Sequence, residues 1–359
     1  YRRLQLNSNS SRLKKLIYIL AISFLFFVVY LIFPFFNLFI NREKKEILFD
    51  TNKVVLKIQE DLSFSKIGDY LVSKDLLLSS KIINQLIEFK NYENNILKKG
   101  KYTIQTKWST NKLVNQLFLM RNKHVIDLYI PSVRNLEILC DRLSSQLELD
   151  SAKLLRLFQD ENIQEKFGFN SYTFSSMVIP NTYEVFTNIS ENKLIEFIAS
   201  KYKIFWNSER IDKANKLGYS QSEITTLASI VQMEQQIKFD EHSKIAGLYI
   251  NRLKSNMKLQ ADPTVKFALK TPNLRRLYYK HLEVDSPYNT YKYKGLPPGP
   301  ICIVDPRVID AVLNYSKHDF IFMCAKPSYS GYHNFSSTNK DHEKYKKMYT
   351  NWLSLEKIN

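Results

Sequence analysis

Apolar and polar residues alternate along NKVVLKI, from Asn52 to Ile58, which predicts a half-buried strand because successive strand side chains point to opposite faces. The period then lengthens. Ser65 to Ser73 and Ser79 to Phe89 carry apolar residues three and four apart, predicting two helices, and a strand follows through Gly100, Tyr102 and Ile104. A second unit repeats this order with HVIDLYI from His124 to Ile130, a helix from Asn135 to Leu147, and DSAKLLRLF from Asp150. The likeness of LLLSSKIINQLIEF to LELDSAKLLRLF suggests a loosely repeated strand and helix-pair module, of a kind that either binds an extended polymer or serves as a spacer.

Downstream of PNTYEVF (Pro180 to Phe186) the pattern is helical from Asn192 to Asn207, and again from Ser220, where Glu223 three residues later completes a capping-box signature. That last helix, ITTLASIVQMEQQI, builds its apolar face from Ile224, Leu227, Ile230 and Val231. Glu234 stands seven residues after Leu227 and so lies only about 20° from it around the helix. Apolar surroundings destabilise an ionised carboxyl and raise its pKa, as a general acid near neutral pH requires. A helix-end glutamate that reaches solvent or pairs with a lysine fits the same spacing.

From Leu16 to Phe36 there is no charge and enough length to cross a hydrocarbon core of roughly 30 Å. Arg2, Arg3, Arg12, Lys14 and Lys15 precede this run with no acidic residue among them, whereas Glu43 and Glu46 dilute the cations after it. The positive-inside rule then predicts a cytoplasmic N-terminus and an external remainder. A cleaved signal peptide fits less well, since the run is long and no small-residue cleavage site follows. Tyr1 is not a methionine, so sequence before it is expected.

At 359 residues the chain has room for two or three domains. The net charge of +17 suits an anionic partner, although the heavy use of Lys, Asn, Ile, Tyr and Phe is also what AT-rich coding produces. Cys140, Cys302 and Cys324 have no metal-ligand spacing; each reads as a buried thiol, with a Cys302 to Cys324 disulfide as the other option. No phosphate-cradling loop, HExxH pair or cysteine and histidine cluster appears, so no cofactor or metal is expected. His333 and Asn334 either line a cleft or serve the fold.

Glycine and proline are scarce, yet SPYNTY (Ser286 to Tyr291) and GLPPGP (Gly295 to Pro300) follow LQADPTV (Leu259 to Val265) closely. This predicts a built loop with polar side chains held over a cleft. Together with ASIVQME (Ala228 to Glu234), YINRL (Tyr249 to Leu253), PNTYEVF and HNF (His333 to Phe335), these motifs stand in an order that resembles the YceG-like family of endolytic murein transglycosylases. The resemblance covers nearly the whole chain. It implies an α+β fold divided into a cytoplasmic N-terminus at 1–15, a single transmembrane helix at 16–40, a small LysM-like α/β module at 41–125 and a mixed α+β catalytic domain at 126–355.

It also implies cleavage of peptidoglycan strands between N-acetylmuramic acid and N-acetylglucosamine without water, leaving 1,6-anhydro ends, during cell wall assembly, with wall synthases as candidate partners. The family's catalytic glutamate falls on Glu234. Its usual first acidic residue is replaced here by Gln232, about 160° from Glu234 around the helix. The expected substrate-binding residues are Gln260, Asp262, Thr264, Tyr288, Asn289, Thr290 and Tyr291. A hydrolase would need a second carboxylate, for which Asp262 is the candidate; it could equally be a turn residue before Pro263. Two readings from other classes remain: a non-catalytic glycan tether, and a membrane-anchored nucleic-acid binder, which the external placement of the chain disfavours.

Overall fold

The computed structural model describes residues 2–48, 51–121, 124–147, 149–271, 274 and 277–357. The chain divides into two compact units, residues 1–126 with 185–188, and residues 127–184 with 189–359. The fold is mixed α+β.

The first unit begins with helix α1, Arg2–Asn41, which contains an apolar segment Lys15–Asn41 long enough to cross a membrane. Its large apolar side chains stand open, Phe24 at 68% and Tyr30 at 75% exposure, as a lipid-facing helix requires. Immediately beyond it the backbone carbonyls of Arg42 and Lys44 accept from the amides of Asn111 and Thr110, and the Glu43 carboxylate accepts from Ser109 and Asn111 side chains. These contacts tie the end of α1 to the segment Ser109 to Asn111.

The rest of this unit runs β1 (Lys53–Ile58), β2 (Leu62–Ser63), α2 (Ile67–Ser73), α3 (Lys81–Phe89), β3 (Ile96–Leu97), β4 (Gly100–Gln105) and α4 (Thr110–Met120). β1 and β4 pair antiparallel, Leu56 opposite Tyr102, and the helices close over a core of Phe64, Ile67, Leu71, Ile83, Leu86 and Leu117. The strands and two helices read from the sequence are all present.

β5 (Val125–Ile130) and β6 (Asn181–Phe186) each lie partly in either unit. The second unit continues with α5 (Leu136–Leu147), α6 (Ser151–Gln159) and α7 (Glu161–Lys166), then α8 (Glu191–Phe205), α9 (Ser208–Leu217) and α10 (Gln221–Glu234). The capping box forms at the start of α10: Ser220 Oγ accepts from the Glu223 amide while the Glu223 carboxylate accepts from the Ser220 amide. Ile224, Leu227, Ile230 and Val231 are all buried, so α10 is the central helix. It packs against α11 (His242–Lys254), α12 (Asp262–Ala268) and α14 (Pro306–Leu313), the short α13 being Tyr279–Leu282. A hairpin of β7 (Phe322–Ala325) and β8 (His333–Ser336) carries the final helix α15, Asn339–Leu355.

One local expectation changes. The ADPTV segment is not loop: Asp262–Ala268 is helical, with Pro263 in the first turn, where its missing N–H costs nothing and its fixed φ suits the helix. All three thiols are free, Cys140 and Cys302 buried as expected and Cys324 half-buried, so the alternative Cys302 to Cys324 disulfide does not form.

Candidate active site

α10 ends on Glu234, with Gln235 leaving the helix in extended geometry. The Glu234 carboxyl is half-buried, and Oε1 accepts a 2.7 Å hydrogen bond from the hydroxyl of Tyr249 on α11. Burial raises its pKa to about 7, against the pull of that hydrogen bond; Asp262 adds to the rise, and Lys266 and Arg252 oppose it. Burial and the neighbouring Glu234 push the Tyr249 phenol well above its ordinary value, so Tyr249 remains a donor.

The fold therefore favours the protonated form of Glu234. Its folded value lies above the ordinary 4.5, so its contribution to stability is complete below pH 4.5 and is lost as the pH rises through about 7. The wild type should lose at most about 3 kcal/mol over that window relative to Glu234→Gln. Thermal unfolding of both in detergent at pH 4.5 and pH 8 measures this, and a difference that does not change with pH would remove burial as the cause.

Arg252, one turn along from Tyr249, is buried and builds the next segment. It donates to the carbonyls of Leu259 (2.8 Å) and Ile321 (2.6 Å) and to Gln260 Oε1 (3.2 Å). Burial lowers its pKa. Gln260 holds a left-handed φ of 51°, which disfavours most side chains, and its amide bonds the Thr290 carbonyl at 3.1 Å. From there the chain enters α12 at Asp262, whose Oδ1 accepts from the Tyr291 hydroxyl at 2.6 Å.

The seven residues expected to bind substrate thus fall into two groups. Thr264, Asn289 and Thr290 are at most 2% exposed. Thr264 and Thr290 hydroxyls meet at 2.8 Å, Thr290 Oγ1 accepts from the Ala261 amide, and Asn289 donates to the carbonyls of Leu282 and Val284. Their polar atoms are committed to the segment's own backbone, so they hold its shape and present nothing to a sugar. Gln260 and Asp262 are exposed, Tyr288 and Tyr291 half-buried. The Tyr288 ring lies 4.7 Å from that of Phe267 and 6.4 Å from that of Tyr172, and burial raises its phenol to about 12. Two cavities, of about 490 and 190 Å³, share Arg134, Glu137, Phe267 and Ile301 in their walls, and Tyr172 and Tyr288 line the smaller.

GLPPGP closes the far wall. The Ile301 amide donates to Ser229 Oγ on α10 at 3.0 Å, and Gly299 lies flat on the Tyr172 carbonyl, where an added Cβ would come within 2.0 Å of the oxygen. Gln232 points to other partners: its Nε2 donates to Ser132 Oγ at 2.9 Å and its Oε1 accepts from the Asp305 amide at 2.7 Å. Ser132 spends its own proton on the Ile303 carbonyl, so its oxygen needs a donor. An amide supplies one and a carboxylate cannot. His333 is bound to Glu241, amide and ring nitrogen both within 2.9 Å of its carboxylate, and Gln235 donates to the same carboxylate. This is a structural histidine.

Tyr249 and Arg252 lie within YINRL, and nothing in the sequence assigns either one a role. Their spacing of three places them on one face of α11, which is the signal that was available.

Comparison with known proteins bears on the family. The profile of the YceG-like family matches residues 56–348. A Bacillus subtilis protein named endolytic murein transglycosylase is 28% identical over 316 residues, covering 82% of this chain and 84% of its own length. A Streptococcus pneumoniae protein of the same name is 25% identical over 322 residues, 81% of this chain and 57% of that one. The crystal structure of a yceG-like protein from Listeria monocytogenes, 28% identical, covers 81% of this chain and 98% of that chain with a TM-score of 0.52. With its family profile spanning both units, this chain belongs to the YceG-like family.

Proposed function

We propose that the chain is a membrane-anchored endolytic peptidoglycan transglycosylase, cleaving between N-acetylmuramic acid and N-acetylglucosamine within glycan strands. The observation that carries this reading is the Glu234 carboxyl, hydrogen-bonded to Tyr249 and raised to about 7, with Met233 before it and its electrostatic neighbour Lys266 lining a cleft. The names of the Bacillus and Streptococcus relatives support it.

Tyr249 occupies Oε1, which leaves Oε2 to carry the acid proton. Glu234 delivers that proton to the glycosidic oxygen, and the leaving sugar departs as an alcohol. The resulting carboxylate takes the proton of the muramic acid's C6 hydroxyl as that oxygen closes on the anomeric carbon. Asp262, held by Tyr291, stabilises positive charge developing on the ring. Gln260, Tyr288 and Tyr291 orient sugar hydroxyl and N-acetyl groups. Intramolecular closure outcompetes water because well-oriented neighbouring groups reach effective molarities of about 10⁵ M or more.

Purified glycan digested in ¹⁸O-labelled water should give anhydro-muramic ends, lighter than hydrolysed ends by one water and free of label. Labelled reducing ends as the main product would make the enzyme a muramidase-type hydrolase, with Asp262 activating the water.

The strand, helix, helix, strand order of β1, α2, α3 and β4 supports a LysM-like, glycan-holding role for the first unit. The cations before the apolar segment, with no acid among them, support an N-terminus in the cytoplasm and the chain beyond α1 outside the plasma membrane. A reporter fused at the C-terminus should be active only outside the cytoplasm; resistance of the second unit to protease in spheroplasts, lost on lysis, would contradict this.

A further inference from the structure

The larger cavity beside Glu234 is more cationic than a neutral sugar needs. Arg134, Lys266 and Lys270 line it against a single carboxylate, Glu137. Lys266 lies on α12 one turn after Asp262, half-buried, and near enough to Glu234 to lower its pKa. Lys270 follows the end of α12, is exposed, and holds a left-handed φ of 54°. Glycine takes that post at a helix end with the least strain, so a lysine there is carried at some cost. Neither ammonium has a carboxylate within ion-pair distance among the described residues. Both are therefore available to a ligand.

N-acetylated hexosamines bring no charge to such a cavity. The anionic groups of a peptidoglycan strand are the carboxylates of the peptide amide-linked to the lactyl group of muramic acid. On the reading of this cleft as a transglycosylase site, the muramic acid whose bond is cut sits beside Glu234, and its peptide must leave the cleft alongside the ring. We infer that Lys266 and Lys270 bind the carboxylates of that peptide, so that the enzyme selects peptide-bearing over bare glycan. Lys266 on α12 and Lys270 just past its end both line the cavity through which that peptide would leave. Cationic reading of this kind favours encounter and orientation more than chemistry.

The test uses the full chain in detergent with two substrates: uncrosslinked glycan strands carrying peptides, and the same strands stripped by an amidase. The readout is the ratio of kcat/KM between them, in which any effect of Lys266 on Glu234 cancels. The wild type should prefer peptide-bearing strands, and Lys266→Gln with Lys270→Gln should lower that preference about tenfold, two half-exposed charge pairs each contributing a few-fold. Lys270→Arg, which keeps the charge, should retain it. A wild type indifferent to the peptide overturns the inference. So does a double variant that loses the same factor on both substrates, since that is the result if the lysines only complement the end of α12. Absence of cleavage on either substrate would instead reject the transglycosylase reading itself, and this inference with it.

Discussion

Glu234→Gln is expected to fold normally and to cleave glycan about 10² to 10⁴ times more slowly than the wild type, the range that positioned acid catalysis typically contributes. Glutamine keeps the size and planarity of the side chain, and its amide oxygen still accepts from Tyr249, whose hydroxyl lies 2.7 Å from Glu234 Oε1. What is lost is the proton on the other oxygen. An amide neither protonates the leaving oxygen nor takes up the C6 proton afterwards, so both halves of the reaction fail together. Asp262→Asn should cost much less, because Asp262 acts on charge already forming on the ring. The comparison is of kcat on purified glycan, with thermal unfolding to establish folding. Near-normal turnover by Glu234→Gln would move the acid elsewhere, and equal losses in the two variants would favour the hydrolase.

Gly299→Ala should lower kcat/KM by about ten- to a hundredfold, the scale on which small misplacements of substrate-positioning groups are felt. The new Cβ would lie 2.0 Å from the Tyr172 carbonyl oxygen and 2.6 Å from its carbon. Both are backbone atoms, with no flexible side chain to yield. Either the Tyr172 segment or the GLPPGP turn must shift, and both line the cleft. Overpacking of this kind typically costs 1–3 kcal/mol, or several degrees in Tm for a unit of this size, about 2–4 °C per kcal/mol. Gly218→Ala is the control, since its glycine has a φ of 79° but nothing within 4 Å of a Cβ. It should lose some stability to backbone strain and little activity. If the two variants lose activity equally, the Tyr172 contact does not position the cleft.

What was legible in the sequence was local. The Ser220 and Glu223 pair announces the start of α10 because a capping box is made within four residues, and the place of Glu234 on the apolar face follows from helical period alone. The partners were not legible. Tyr249 reaches Glu234 only once α11 packs on α10, and Arg252 is spent on backbone carbonyls from two separate segments, which no periodicity reveals. For the same reason Thr264, Asn289 and Thr290 read from the sequence as substrate-binding residues alongside Asp262 and Tyr291. Burial distinguishes them from Asp262 and Tyr291, and burial is set by the folded segment as a whole. α4 left a signal that went unused: Ser109 caps it, and Leu113, Val114 and Leu117 follow at helical spacing.

The bonds from Arg42, Glu43 and Lys44 to the first turn of α4 leave no slack between the apolar helix and the first unit. A flexible linker of twenty residues would let a module roam roughly 25 Å from its attachment point, growing with the square root of its length. Here the leash has no length. With α1 in a bilayer, the rest of the first unit diffuses in two dimensions together with its anchor and reaches only what lies within its own height of the lipid surface.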